Sequence, residues 1–183
     1  RPAVVITRLN EFDQWCWLMA ILGHDEGIMD FGKRVRRHCL ANYPGAKYID
    51  ACDDAGKQIS DKSERTSVQI LNNLGIYPQS RKQPTKMGSE IIRQKLKLRV
   101  DGKPGLLVNP DKTDLIDGFK GGLHYPEAKN TDVVSYYDEK EGKEISEHVY
   151  HDEHYLKDGF YEHIFDGARY LAVEMFTVIG QTE

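Results

Sequence analysis

Cysteine is scarce in this sequence of 183 residues. The three cysteines, Cys16, Cys39 and Cys52, are odd in number, widely spaced and without a Cys-x-x-Cys pair. A disulfide framework needs cysteines in pairs, and a zinc site built on cysteine needs them closely spaced. The sequence therefore argues against both, and we expect reduced, packed thiols.

Long apolar runs are also missing. No stretch of about 18 apolar residues occurs, and the N-terminus lacks the basic-then-apolar pattern of a signal peptide. We therefore predict no transmembrane segment, no signal peptide and a cytosolic location. With 39% apolar residues, the chain has enough core to form one globular domain over residues 1–183.

Two common catalytic motifs are absent as well. The sequence has no Gly-x-x-x-x-Gly-Lys-Ser/Thr phosphate loop, which excludes a P-loop ATPase motor. It also has no Gly-x-Ser-x-Gly elbow, which excludes the commonest type of serine hydrolase.

Excess positive charge is missing too, because the formal net charge is −4. A protein that coats nucleic acid through its overall charge would be basic, so any contact with DNA must use a local patch. Residues 81–103 form the one lopsided segment, with many Lys and Arg against only Glu90 and Asp101. Such runs are commonly solvated faces, but this imbalance also suits phosphate contacts.

The pattern of apolar residues predicts a mixed α/β sheet. We predict a hairpin from residues 3–7 and 15–22, strands at 48–51, 76–80 and 105–109, an extended piece at 121–125, and helices at 29–43, 66–74, 85–100, 113–119 and 161–179. Between the last two helices, residues 127–161 are acidic, rich in Tyr and His, and irregular in pattern. There, His148, His151 and His154 match no zinc template, and a surface loop is the favoured interpretation.

Two adjacent carboxylates, Asp53 and Asp54, follow the short apolar stretch at residues 48–51. A carboxylate at the end of a buried strand is costly unless a cation compensates it, and hard divalent ions prefer carboxylate oxygens. The alternative is turn chemistry, because Asp before Ala55 and Gly56 also caps a turn. On these residues alone, the turn is the better interpretation.

The final predicted helix carries a second candidate carboxylate. We expect Asp166 in its first turn, with His163 on the same side. An Asp in a first turn is favoured electrostatically without any function. Since Asp166 follows Phe165 in an apolar stripe, we expect its carboxylate to face the edge of the sheet.

Several motifs, in this order, resemble the nuclease domain of the large terminase subunit of tailed bacteriophages. The family's Gly-Asp-Pro-Ala-Gly motif, followed by Glu-Arg-Thr, is similar to Cys52-Asp-Asp-Ala-Gly56 and Glu64-Arg-Thr66. Residues 104–109 and 115–125 follow, as the family's next strand and hairpin do. Last, His163-Ile-Phe-Asp-Gly-Ala-Arg-Tyr-Leu171 is similar to the family's His-x-x-Asp-Ala-x-x-Tyr helix.

The resemblance implies an RNase H-like fold, with a mixed central sheet flanked by helices, that cuts double-stranded DNA with two Mg²⁺ or Mn²⁺ ions. It places metal ligands at Asp53 and Asp166, and Asp54 adds a carboxylate where the family has Pro. His163 would orient a carboxylate or the water. Contacts to DNA phosphates would come from Lys57, Arg65, Arg81, Lys82, Lys86 and Arg93.

The resemblance also implies partners and a location. The partners would be the ATPase domain of the same large subunit, the small terminase subunit and the portal of the procapsid, in the host cytoplasm. In the family, the first catalytic Asp lies on a strand just before the segment similar to residues 1–6, so that strand is expected ahead of Arg1. His24, Asp25 and Glu26 are expected near the place of that acid.

Two other functions stay open at this point. One is another RNase H-like nuclease, such as a resolvase or transposase core, which would prefer junctions or transposon ends. The other is a non-catalytic module that docks on DNA or on a portal and has lost its metal site.

Overall fold

The computed structural model describes residues 1–57, 65–81, 85–123, 131–138, 143–150 and 160–179. This part of the chain is a mixed α/β structure with a three-stranded mixed sheet, a two-stranded hairpin and several helices. The strands are β1 (Ala3–Leu9), β2 (Trp15–Leu22), β3 (Leu106–Val108), β4 (Thr131–Asp138) and β5 (Lys143–Tyr150). The α-helices are α1 (Ile28–Asn42), α2 (Ser67–Asn72), α3 (Thr85–Leu96), α4 (Thr113–Asp117) and α5 (Tyr161–Ile179).

The predicted hairpin at the start of the chain is confirmed. β1 pairs antiparallel with β2, and β2 pairs parallel with β3, which makes the sheet mixed. The register shifts after Ile6, so that Leu18 has no partner in β1. A bulge of one residue moves the following side chains to the opposite face. Because of this shift, Ala20 joins Trp15 and Trp17 on the core face of β2.

The core lies between this sheet face and α5. Trp15 and Trp17 are fully buried, and the indole N–H of Trp15 donates to the Thr7 hydroxyl over 2.8 Å. Rings from α5 pack edge-on or tilted against them, with Phe176 5.2 Å from Trp15 and Phe165 5.4 Å from Trp17. Buried aromatic pairs of this kind add to the free energy of folding beyond their buried area. The apolar stripe predicted for the last helix therefore lies on the sheet, as expected.

Helices α1 and α2 form a second packed layer. At Gly32 an added Cβ would lie 2.8 Å from a Leu74 methyl carbon and 2.9 Å from one of Leu71, so the helices touch where a side chain is absent. Thr66 is the N-cap of α2 and forms a capping box with Gln69. The threonine of the Glu-Arg-Thr motif therefore has a structural role, because its hydroxyl satisfies a backbone N–H at the helix start.

The prediction of a strand at residues 48–51 is wrong, because these residues do not belong to the three-stranded sheet. Only one parallel bridge forms there, between Ala51 and Gln79. Two backbone hydrogen bonds accompany it, from Cys52 N to Gln79 O over 2.9 Å and from Gln79 N to Asp50 O over 2.8 Å. Ile49 is 64% exposed, so this segment lacks the two-sided burial that would stabilise a central strand.

Two boundaries in the second half of the chain also differ from prediction. Helix α3 ends at Leu96, because a tight turn centred on Gly102, which has a φ of 75°, brings Leu98 back to Pro104. Residues 121–122 are not extended but close a π-helical turn at Gly118–Gly122. Helix α5 has the predicted bounds, but Asp166 lies in its second turn rather than in the first.

Residues 127–161 were predicted to be irregular, and this is wrong for their described part. β4 and β5 pair antiparallel over eight residues each, from Thr131 opposite Tyr150 to Asp138 opposite Lys143. His148 belongs to β5, whereas His151 and His154 lie outside the described residues. Among the described helices, none is both long and apolar enough to cross a membrane.

Candidate functional site

A cleft of about 550 Å³ opens beside the edge of β1. Its lining comes from the start of β1, from α1 and α2, from the turn at residues 51–56, and from one face of α5. Asp53, His163 and Asp166 all line it. The structure therefore brings Asp53 to the same cleft as His163 and Asp166, which lie more than 100 residues further along the chain.

Asp53 is half-buried at the start of a single 3₁₀ turn, Asp54–Lys57. Its Oδ1 accepts a hydrogen bond from the Gly56 backbone N–H over 3.1 Å. This is the Asx-type turn that the sequence predicts as the simpler interpretation. Because Asp53 also lines the cleft, the turn holds its carboxylate there, and the two interpretations of this residue are compatible.

The segment that carries Asp53 is held by Asp50 and its partners. Besides the two backbone bonds to Gln79, the Asp50 carboxylate accepts a hydrogen bond from the Tyr77 N–H over 3.3 Å. Burial raises the pKa of Asp50 above its ordinary value, and the Tyr77 hydrogen bond and the Arg36 charge offset this only in part. Thus the partly dehydrated carboxylate of Asp50 helps to hold in place the segment that leads into the Asp54–Lys57 turn.

Helix α5 presents its cleft residues through helical spacing. His163, Asp166, Gly167 and Tyr170 recur at intervals of three or four residues, so they share one face. At Gly167 an added Cβ would lie 4.0 Å from Val5, so α5 runs close over β1. This close approach brings the polar face of α5 to the open edge of the sheet.

Each polar residue of this face has a partner. An oxygen of Asp166 lies 2.6 Å from an Nη of Arg169, and the side chain of Arg169 is only 12% exposed. Nε2 of His163 lies 3.8 Å from a carboxylate oxygen of the buried Glu162. Asp166 is therefore held in place by a largely buried cation, and His163 has a carboxylate as its neighbour.

Tyr170 connects the two candidate carboxylates. Its pKa is raised by burial first, then by the charges of Asp166 and Asp53, whereas Arg169 lowers it. A phenol can feel both carboxylates only if both lie near it. Tyr170 therefore lies within electrostatic range of both carboxylates, and all three side chains line the same cleft.

Asp54, the third predicted metal ligand, does not line the cleft. Its side chain is exposed and accepts a hydrogen bond from the Ser80 hydroxyl over 2.6 Å. The ammonium of Lys57 lies 3.7 Å from the same carboxylate oxygen. Asp54 thus fastens its turn to residues 76–80, apart from the two converging carboxylates.

Three of the predicted DNA contacts lie beside carboxylates in the described part of the chain. Arg81 is 2.8 Å from Glu174 and Arg93 is 3.7 Å from Glu90, in addition to the pair that Lys57 forms with Asp54. Arg65 and Lys86 are exposed. Lys82 lies outside the described residues.

The donors in the cleft match a hard divalent ion in type, because two carboxylates converge there. Their number is small: across the described parts of the chain, no group of three or more His, Cys, Asp or Glu side chains is placed to hold a metal ion. Glu26 lines the cleft, but its carboxylate pairs with Arg34. His24 and Asp25 are exposed and do not line it.

Two residues of this site have no role in the sequence-based prediction, Arg169 and Tyr170. The signal that would have assigned Tyr170 is its helical spacing, because it lies four residues beyond Asp166 and seven beyond His163. Arg169 follows Asp166 at the i, i+3 distance of a helical ion pair.

Comparisons with known proteins found no match. No protein-family model, no curated protein and no solved structure is similar to this chain.

Proposed function

We propose that this chain is a divalent-metal-dependent endonuclease of the large-terminase type, with an RNase H-like fold. It would cut double-stranded concatemeric phage DNA during genome packaging. The observation that supports this most is that Asp53 and Asp166, from distant parts of the sequence, line one cleft together with Tyr170. Paired carboxylates in a cleft are the usual anchors of metal ions in enzymes that cut phosphodiesters.

In this proposal, Asp53 and Asp166 would hold Mg²⁺ or Mn²⁺. A bound divalent cation supplies an activated water at neutral pH and stabilises negative charge on phosphate oxygens. The residues of the chain provide the arrangement. The Gly56 N–H orients Asp53, Arg169 orients Asp166, and His163 lies on the same wall, where it would orient the attacking water or a carboxylate.

DNA would pass along the α5 side of the cleft. Glu174 lies one helical turn beyond Tyr170 on α5, and it holds Arg81 at that position. Arginine there would contact backbone phosphates without reading the sequence. The family resemblance supports the ATPase domain of the same subunit, the small terminase subunit and the portal as partners, and the host cytoplasm as location.

The test is metal-dependent nicking of supercoiled plasmid. We expect nicking with Mg²⁺ or Mn²⁺ and none with EDTA. Asp53→Asn and Asp166→Asn should each lower the rate by at least about 100-fold, because residues that merely support metal ligands typically contribute about 10- to 100-fold. Asn preserves the size of each side chain and still accepts the Gly56 hydrogen bond.

Asp111→Asn is the matched control, because Asp111 is exposed and does not line the cleft. Its rate should equal that of the unsubstituted chain. Full nicking by Asp53→Asn or Asp166→Asn would rule out this assignment of the site.

A second candidate is a non-catalytic module that docks on DNA or on a portal. The observation that favours it is the small number of metal donors within the described residues. Calorimetric titration with Mn²⁺ separates the two candidates. A nuclease should bind Mn²⁺ saturably and lose this binding in Asp166→Asn, whereas a docking module should show no saturable binding.

A further inference from the structure

Arg169 is a cation inside the protein rather than on its surface. Its side chain is 12% exposed, and it lines a small cavity of about 140 Å³ together with residues of α3 and Phe165. Its partner Asp166 lines the large cleft instead. The guanidinium therefore reaches Asp166 from the α3 side of α5, behind the cleft.

The backbone at Arg169 is fixed as well. An added Cβ at Gly88 of α3 would lie 2.6 Å from the Arg169 carbonyl oxygen, so the two helices are in direct contact. The guanidinium carbon also lies 6.0 Å from the ring centre of Tyr170. The contact with α3 at Gly88, the Tyr170 ring and the Asp166 carboxylate all restrict Arg169. Its guanidinium therefore has little freedom to move away from Asp166.

A fixed cation beside a candidate metal ligand has two opposing effects. It neutralises Asp166, whose side chain is 36% exposed, when no other cation is present, through a charge-assisted contact of 2.6 Å. It also repels any divalent cation that approaches the same carboxylate.

We propose that Arg169 is a resident counter-ion that competes with a divalent cation for Asp166 and so weakens metal binding in the cleft. This inference rests on the proposed function, because it takes Asp166 to be a metal ligand. Arg169 is a positioning residue here, since it acts through Asp166.

The test is Mn²⁺ binding by calorimetry in the unsubstituted chain, in Arg169→Gln and in Arg169→Lys. Gln removes the charge and keeps a hydrogen-bond donor, so we expect Mn²⁺ to bind on the order of tenfold more tightly. Lys keeps the charge, so its affinity should stay within about threefold of the original. Arg37→Gln is the control, because Arg37 is exposed on α1 and does not line the cleft.

Thermal unfolding with and without Mn²⁺ separates this role from a purely structural one, because only a competing counter-ion makes the Tm difference depend on the metal. Without metal, Arg169→Gln should lower the Tm by about 5 °C or more, because Asp166 loses its partner. Saturating Mn²⁺ should close most of this gap, since the metal replaces the missing charge. A gap of equal size with and without Mn²⁺ would overturn the inference.

The outcomes also separate this inference from the proposed function. Saturable Mn²⁺ binding that is equal in the unsubstituted chain and Arg169→Gln overturns the inference and leaves the nuclease proposal intact. Binding by Arg169→Gln that is tighter than in the unsubstituted chain supports the inference. Absence of Mn²⁺ binding from both proteins overturns both proposals.

Discussion

At the scale of single residues, burial disfavours the ionised form of Asp50, which lies near the site. It anchors the segment that carries Asp53, yet it is partly dehydrated there. Burial raises the pKa of Asp50 above its ordinary value, and burial first, then the Asp50 charge, raises the pKa of the neighbouring Cys39 thiol. The Asp50 carboxyl accepts a hydrogen bond from the Tyr77 N–H. Its burial nevertheless destabilises the folded chain whenever the carboxyl is ionised.

The raised pKa of Asp50 predicts how the free energy of unfolding depends on pH. Because the pKa of Asp50 is higher in the folded chain than in the unfolded chain, protonation favours folding. Its contribution is present below the unfolded pKa of about 4 and is lost as the pH rises through the folded pKa. Asp50→Asn stays neutral and still accepts from Tyr77, so it should gain stability relative to the parent as the pH rises.

Urea unfolding of both proteins between pH 3.5 and pH 7 measures this difference. We expect the free energy of unfolding of Asp50→Asn, relative to the parent, to be larger at pH 7 than at pH 3.5. Asp30→Asn is a suitable control, because Asp30 is exposed on α1. A relative stability that falls as the pH rises would contradict the prediction.

At the scale of secondary-structure elements, two helical glycines differ in whether their helix could carry a side chain there: Gly88 of α3 lies against α5, whereas Gly167 of α5 leaves room for a Cβ. Gly88→Ala should destabilise the fold by about 1–3 kcal/mol, because its Cβ would clash with the α5 backbone at 2.6 Å. Gly167→Ala should stabilise it by about 0.5–1 kcal/mol, since Ala favours the helix and its Cβ would make only a 4.0 Å contact with Val5. Thermal unfolding of the two variants checks these opposite signs, and a loss of stability in both would contradict them.

The elements that the sequence predicts well are those whose pattern is local. The hairpin of β1 and β2, the helix α1 and the helix α5 follow from runs of apolar residues at strand or helix spacing. The segment at residues 48–51 has the same kind of run, but a strand also needs a neighbouring strand that pairs with it over several residues. Its only described bridge joins Ala51 to Gln79, which no local pattern reveals.

The hairpin of β4 and β5 was missed for a different reason. Both strands contain β-branched and aromatic residues, such as Val133, Val134 and Tyr136 in β4, and a glycine, Gly142, lies between them. The prediction gave more weight to the acidic residues and histidines of this stretch than to its strand composition. Acidic side chains are compatible with a hairpin whose faces are not all buried.

The candidate site shows the same division between local and distant information. Asp53 and Asp166 were predicted through motifs, and the structure places both in one cleft. That both line one cleft depends on how α5 lies over β1, which follows from the packing of its apolar residues on the sheet. The engagement of Asp54 by Ser80 likewise depends on a contact between segments distant in sequence.

At the scale of the whole molecule, charge pairing would weaken the DNA binding that the proposed function requires. The net charge is −4, and the cleft adds local negative charge from Asp53 and Asp166. Three of the predicted phosphate contacts, Lys57, Arg81 and Arg93, already lie beside carboxylates. Each of these pairs must separate, or share its cation, before a phosphate can be neutralised.

The salt dependence of DNA binding measures this limit. Each phosphate neutralised on duplex DNA contributes about −0.9 to the slope of log K against log salt, so six full contacts would give about −5. Because three of the six cations are engaged with carboxylates, we expect a slope shallower than about −3. Fluorescence anisotropy with a labelled duplex in EDTA, between about 50 and 200 mM salt, gives this slope. A slope of about −5 would show that these carboxylates release their cations when DNA binds.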